Sequence, residues 1–239
     1  MNQYIEDKTE LKDWVVIMDP VGTLIDSDNS NFELIKEMFN ELGYDDDKIN
    51  TMMTKIASGA DYDELVRFLQ LDENTHRLLA SKMISKATSN NVSLLPYVNN
   101  ALQWFLENDM NLSLVTDNYL EVAVNTLRNT NIMSFFNKEL IFASDNFPYR
   151  KPSQEIAHAI FNSTKCTKGI IIGNSEKDTI FAKNCHLPLI LIRPKHNPGL
   201  EDANTYHRLK YKEVNYQSIY KLEDWNQVQS VIKTITGWD

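Results

Sequence analysis

The chain has 239 residues, enough to bury a sizeable core as one large domain or as a domain with an insert. A hydrophobic share of 42% and a charged share of 24% are ordinary for a soluble globular protein, and the net charge of −9 argues against a broad nucleic-acid surface or an anionic membrane as partner. A small anionic substrate held in a local pocket stays compatible with that balance. Apolar runs such as Leu187–Ile192 are far too short to span a bilayer, and the opening Met-Asn-Gln-Tyr-Ile-Glu-Asp has no basic and apolar leader pattern. Cys166 and Cys185 stand 19 residues apart and form no Cys-x-x-Cys pair, so two reduced thiols in a cytoplasmic protein are expected.

In chain order, Trp14–Met18 reads as a buried strand. It ends on Asp19, and a tight turn follows at Gly22-Thr23. A carboxylate at the carboxyl end of a strand, beside backbone N–H groups, sits where open α/β sheets bind ligands and where phosphate oxygens are well received. Residues 28–92 then break the pattern. Phe32, Ile35, Met38, Phe39 and Leu42 have helical spacing with Gly43 as a stop. Asp61 and Asp63 precede Leu65, Val66, Phe68 and Leu69, while Leu78, Leu79, Met83 and Ile84 mark another helical face. The run Asp45, Asp46, Asp47 reads as a solvated turn. No strand is expected in this block.

Alternation resumes with a helix over Val98–Glu107, a strand over Leu112–Thr116 and a helix over Leu120–Asn129. A strand over Leu140–Ala143 and a helix over Ser153–Asn162 come next, then a strand over Gly169–Ile172 and a helix over Lys177–Asn184. A strand over Leu189–Ile192, a short strand near Tyr216–Ile219 and a helix over Leu222–Thr236 finish the chain. Strand–helix repetition predicts an α/β fold, a doubly wound parallel sheet built from 1–27 and 93–239, with 28–92 as an inserted helical lobe. Trp14 is expected to pack beneath the sheet edge, and Trp104, Trp225 and Trp238 to pack on helices.

Four stretches carry chemistry. Residues 14–27, Trp-Val-Val-Ile-Met-Asp-Pro-Val-Gly-Thr-Leu-Ile-Asp-Ser, resemble the first motif of the haloacid dehalogenase-like superfamily, usually Asp-x-Asp-Gly-Thr-Leu-x-Asp-Ser. Leu114-Val115-Thr116-Asp117-Asn118 resembles its second motif, Tyr149-Arg150-Lys151-Pro152-Ser153 its third, and Gly173-Asn174-Ser175-Glu176-Lys177-Asp178 its fourth, commonly Gly-Asp-Ser-x-x-Asp. The motifs run in order from Asp19 to Asp178, each after an expected strand.

The resemblance implies a hydrolase with an α-helical cap, residues 28–92, closing over the catalytic face. Asp19 would be the nucleophile. Thr116, with a hydroxyl donor, and Lys151, with a point charge, would hold the transferred anion. Gly22 and Asn118 would contact the substrate, a small and phosphorylated metabolite. Asp19, Asn174, Asp178 and the carbonyl of Val21 would hold Mg²⁺.

Two departures shape the mechanism. Val21 stands where family phosphatases place a second Asp that moves protons, help worth roughly 10²- to 10⁴-fold. Asn174 stands where a metal-binding Asp is usual, so Mg²⁺ is expected to bind weakly and to be dispensable. Losing both acids makes a ligand-binding relative without turnover the rival expectation. A 2-haloacid dehalogenase is a further one, set back because no Arg occurs between residues 27 and 66 and Arg67 is the first. Phosphonatase-like relatives use a cap lysine, but Lys36, Lys48 and Lys55 read as solvated helix charges. His76, His158, His186, His196 and His207 suggest no metal site by spacing, and Arg150 reads as a surface charge.

Overall fold

The computed structural model describes residues 10–26, 36–37, 39–57, 68–70, 72, 75, 92–193 and 216–238. Strand β1, Trp14–Met18, is buried at every residue. Its alternate side chains feed two different cores: Val16 and Met18 point into one apolar cluster, Val15 and Ile17 into another. A strand covered on both faces needs no polar alternation, which is why its sequence is continuously apolar.

The main sheet has six parallel strands. They are β1, β4 (Asn111–Val115), β5 (Ile141–Phe142), β6 (Lys168–Gly173), β7 (Leu189–Ile192) and β8 (Ile219–Leu222). Their order across the sheet is β5-β4-β1-β6-β7-β8. The chain winds outward from β1 in both directions, so the switch point lies between β1 and its neighbours. Ligands bind at such a point, beyond the carboxyl ends of the strands.

Helices α2 (Val98–Glu107), α3 (Leu120–Asn129) and α6 (Val228–Thr236) bury Phe105, Leu127 and Ile232 against one face. Helices α4 (Gln154–Thr164) and α5 (Glu176–Cys185) bury Ile160 and Phe181 against the other. Trp14 heads an interior strand, which corrects the expectation of a place at the sheet edge.

A second, two-stranded ladder was not anticipated. β2, Ile25–Asp26, pairs antiparallel with β3, Ser93–Leu94, and Leu95 N donates to Leu24 O at 2.9 Å. Two-residue strands are too short to show any period. The pairing means that the chain leaves the core and returns to it at neighbouring points.

Within 28–92, helix α1, Asp46–Ala57, is described. Asp45 Oδ1 accepts from Lys48 N at 2.8 Å, so the acidic run is a helix start with Asp46 and Asp47 in its first turn, rather than a turn alone. Gly43 has φ +79°, and Tyr44 N reaches back to Phe39 O, a left-handed stop that a Cβ would strain. Phe39, Ile49, Met52 and Leu69 are buried, and the two clusters that sandwich the sheet contain none of them. Phe32, Ile35, Met38, Asp61, Asp63, Leu65, Val66, Arg67, Leu78, Leu79, Met83 and Ile84 lie outside the described residues.

The chain's end differs from expectation. Leu222 pairs with Ile192 in β8, so the last helix begins at Val228 after a 3₁₀ turn, Trp225–Gln227, capped by Asp224. Ladder pairing and a cap residue override the helical period that runs through Leu222. Among the described residues no helix is long and apolar enough to cross a membrane.

Candidate active site

Asp19 lies one residue beyond β1. Its N–H donates to Ile172 O at 3.0 Å, so the ladder with β6 carries through to it. Alternation from Val15 and Ile17 places its side chain on the face covered by α4 and α5. Lys151 enters from the loop before α4. Its Nζ donates to Asp19 Oδ1 at 2.6 Å and to Asp178 Oδ1 at 2.8 Å. Lys151 is 7% exposed and Asp178 1%, so one ammonium is shared by two carboxylates in a nearly dry place.

Asp178 is held on its other side as well. Its Oδ2 accepts from Asn174 N at 3.1 Å, from Ser175 N at 3.0 Å and from Ser175 Oγ at 2.6 Å. Ser175 accepts from Asp178 N in return, which makes a capping box at the start of α5. This packing requires Gly173. A Cβ there would stand 2.4 Å from Asp178 Cγ, a contact no side chain could accept. Gly173 is a site-forming residue that reading the motif for its acids missed; the glycine at the strand end was the available signal.

These contacts set the ionisation of the group. Burial pushes Asp19 up to about 7; Lys151 opposes the rise and Asp178 adds to it. Burial also presses on Lys151, but the charges of Asp178 and Asp19 outweigh it and hold the ammonium above its ordinary value. Burial presses Asp178 upward, yet Lys151 and the Ser175 bonds prevail and keep it below the usual carboxylate value. The site therefore holds one firmly ionised acid, one firmly charged lysine and one carboxylate poised near neutrality.

The other candidates are placed unevenly. Thr116 is buried one residue past β4, beside β1, where register sets Met18 against Leu114. Its Oγ1 accepts from Asn118 N at 3.2 Å, and the hydroxyl keeps its own proton to donate. Asn118 is tied by its backbone, its carbonyl accepting from Ser144 N at 3.0 Å. Gly22 has φ +73°, but its N–H donates to Ile25 O at 2.9 Å. Of the N–H groups around this turn, that of Gly22 is therefore taken up by the turn itself.

Both oxygens of Asp178 accept hydrogen bonds, Oδ1 from Lys151 and Oδ2 from Asn174 and Ser175. No group of three or more His, Cys, Asp or Glu side chains among the described residues could hold a metal. Asn174 is 1% exposed, and its Nδ2 has no hydrogen-bond partner among the described residues. A buried amide donor in that state is costly, and an acceptor beside it, such as a bound anion, would relieve the cost.

One pair lay outside the sequence-based list. Lys177 Nζ donates to Asp117 Oδ2 at 3.1 Å, linking the loop after β4 to the first turn of α5. Both residues sit inside stretches already singled out, but their partnership needs the fold. Elsewhere, Lys48 and Lys55 lie over the rings of Tyr44 and Phe68. His158, His186 and Arg150 are exposed, while His76, His196 and His207 lie outside the described residues. Cys166 and Cys185 are free thiols.

A family model described as haloacid dehalogenase-like hydrolase matches residues 16–192. The phosphoglycolate phosphatase of Rhodobacter capsulatus is 25% identical over 186 residues, which are 74% of this chain and 82% of that protein. Among solved structures, CbbY from Rhodobacter sphaeroides in complex with phosphate superposes with a TM-score of 0.66 at 18% identity, covering 88% of this chain and 93% of that one. A predicted phosphoglycolate phosphatase from Haemophilus somnus superposes with a TM-score of 0.68 at 16% identity, covering 91% and 97%. At those identities the structural matches speak for the fold alone.

Proposed function

The chain belongs to the haloacid dehalogenase-like hydrolase family, and from that premise we propose that it hydrolyses a small phosphorylated metabolite through an aspartyl-phosphate on Asp19. The observation that carries this reading is Lys151 bridging Asp19 and Asp178, with all three side chains nearly buried, at the sheet's switch point. The names of the Rhodobacter capsulatus relative and of the phosphate-bound CbbY support a phosphorylated substrate.

In this reading the Asp19 carboxylate attacks phosphorus, and the leaving group departs with its electron pair. Lys151 offsets the repulsion between that carboxylate and the phosphoryl oxygens. Thr116 donates its hydroxyl proton to one of those oxygens, and Asn118 positions the Thr116 loop. Water then cleaves the Asp19–phosphorus ester.

Val21 has no proton to give, so the first step favours leaving groups that depart without one. The division into a core, 1–27 and 93–239, and a helical cap, 28–92, belongs to the same proposal. The cap would keep bulk water out while the phosphoryl group is transferred to Asp19.

Asp19, Asp178 and Lys151 sum to one negative charge, and a phosphate dianion adds two more. The donors that fit a cation are the Asp19 and Asp178 carboxylates, the Val21 carbonyl and the Asn174 amide. Mg²⁺ accepts such a set of carboxylates and neutral oxygens, though weakly with an amide in place of an acid at 174. When bound, Mg²⁺ would supply positive charge at the phosphoryl group.

Mass spectrometry after exposure to acetyl phosphate tests the proposal. Wild type should gain one phosphoryl group on Asp19, and Asp19→Asn should gain none. No adduct, together with no turnover of phosphate esters, acyl phosphates or 2-haloacids, would leave a ligand-binding member of the family.

A further inference from the structure

The second step needs a base, and Val21 cannot be one. Asp178 is fully engaged by Lys151 and by the turn at Ser175. Asp117 is different. It lies two residues beyond β4, the strand next to β1, whose register sets Met18 alongside Leu114. Its bond to Lys177, in the first turn of α5, draws it toward the face of the sheet that α5 covers, the face of Asp19.

One of its oxygens, Oδ2, is held by Lys177, the residue next to Asp178. The other, Oδ1, is buried without a partner among the described residues. A buried carboxylate oxygen left unpaired is costly, so it marks a place where a proton donor belongs. The side chains of Lys177 and Asp117 are 27% and 33% exposed, so the pair stands at the rim of the site with Oδ1 on its buried side. The charge of Asp117 is felt by both Asp19 and Lys151.

Resting on the hydrolase reading, we infer that Asp117 is the base that the first motif lacks, oriented by Lys177. Water attacks the phosphorus of phospho-Asp19 and gives one proton to Asp117 Oδ1. A new phosphorus–oxygen bond forms, the bond from phosphorus to Asp19 breaks, and its electron pair returns to Asp19 as carboxylate. The second water proton leaves on the phosphate product, and Asp117 then passes its proton to solvent. Asp117 stands one loop away from the usual position, on a neighbouring strand.

The test uses the whole protein loaded with acetyl phosphate. Adduct is quantified first, so that release is compared from equal amounts, and inorganic phosphate release is then followed. Asp117→Asn should slow release by roughly 10²-fold, at the low end of general-base effects. Asp117→Glu keeps a carboxylate and should recover part of the rate. Release from Asp117→Asn at the wild-type rate, or release from Asp117→Glu no faster than from Asp117→Asn, overturns the role of Asp117. No adduct and no phosphate release from the wild-type chain overturn the hydrolase reading instead.

Discussion

Asn174 and Val21 are single side chains with separable consequences. Replacing Asn174 by Asp adds a negative oxygen donor at that position, and Mg²⁺ prefers such donors. Calorimetry should show Mg²⁺ bound at least several-fold more tightly by Asn174→Asp; equal affinity would remove position 174 from the metal's shell. Val21→Asp should raise turnover of alkyl phosphate esters by about ten-fold or more while changing acetyl phosphate little, because only the former leaving group needs a proton. A uniform change across both substrates would place the effect in binding.

Asp19 carries a linkage of its own. Its acid is pushed up to about 7, first by burial, from an ordinary 3.8. Between these values the folded chain keeps a proton that the unfolded chain has released. Its contribution to stability is therefore present at low pH and lost as pH rises toward 7. Asp19→Asn has no such proton. The stability of wild type relative to Asp19→Asn should fall by on the order of 1–2 kcal/mol from pH 5 to 7 in urea titrations. A rising difference would refute the inverted titration.

At the scale of elements, the junction of β6 with α5 is the least tolerant part of the site. Strand β6 ends on Gly173, and α5 begins with a capping box whose Asp178 occupies the space a Cβ would need. Gly173→Ala should push Asp178 from Lys151 and cost about 1–3 kcal/mol, the usual range for overpacking. Thermal melting and phosphorylation of Asp19 should both report the change, and an unaltered melt would mean that the strand end yields cheaply.

The other end of the chain supports the first motif by a different contact. Trp225, 1% exposed, donates its indole N–H to Thr23 O at 2.7 Å. Trp225→Phe leaves that carbonyl unpaired in a buried place, at about 1–3 kcal/mol. The turn after Asp19 is thus held from the last 3₁₀ turn, 202 residues away.

At the scale of the whole molecule, the pairing of β2 with β3 brings Asp26 and Ser93 side by side. The segment between them buries Phe39, Ile49 and Met52 outside the two clusters of the sheet. A chain in which a two-residue turn joins Asp26 to Ser93 should keep a cooperative thermal transition and lose efficient substrate turnover. Loss of cooperative unfolding would show that 28–92 belongs to the core.

Amino-acid order alone determined the winding. Five short runs without clean polar alternation read as strands covered on both faces, and helices α2 and α3 were legible to the residue because their apolar period ends cleanly at both termini. Motif spacing named Asp19, Lys151 and Asp178, since each chemistry-bearing residue follows a strand and parallel strands end on one face. Period and spacing are local properties, and the chain states them directly.

What they could not state was partnership. The engagement of Asp178 by Ser175, the loss of the Gly22 N–H to Ile25, the Asp117–Lys177 pair and the Trp225–Thr23 bond depend on which surfaces meet when the sheet closes. The pairing of β2 was hidden, and the strand expected near Tyr216–Ile219 falls at Ile219–Leu222, for the same reason: a ladder's energy lies in the strand opposite, and no residue carries its partner's address in its own neighbourhood.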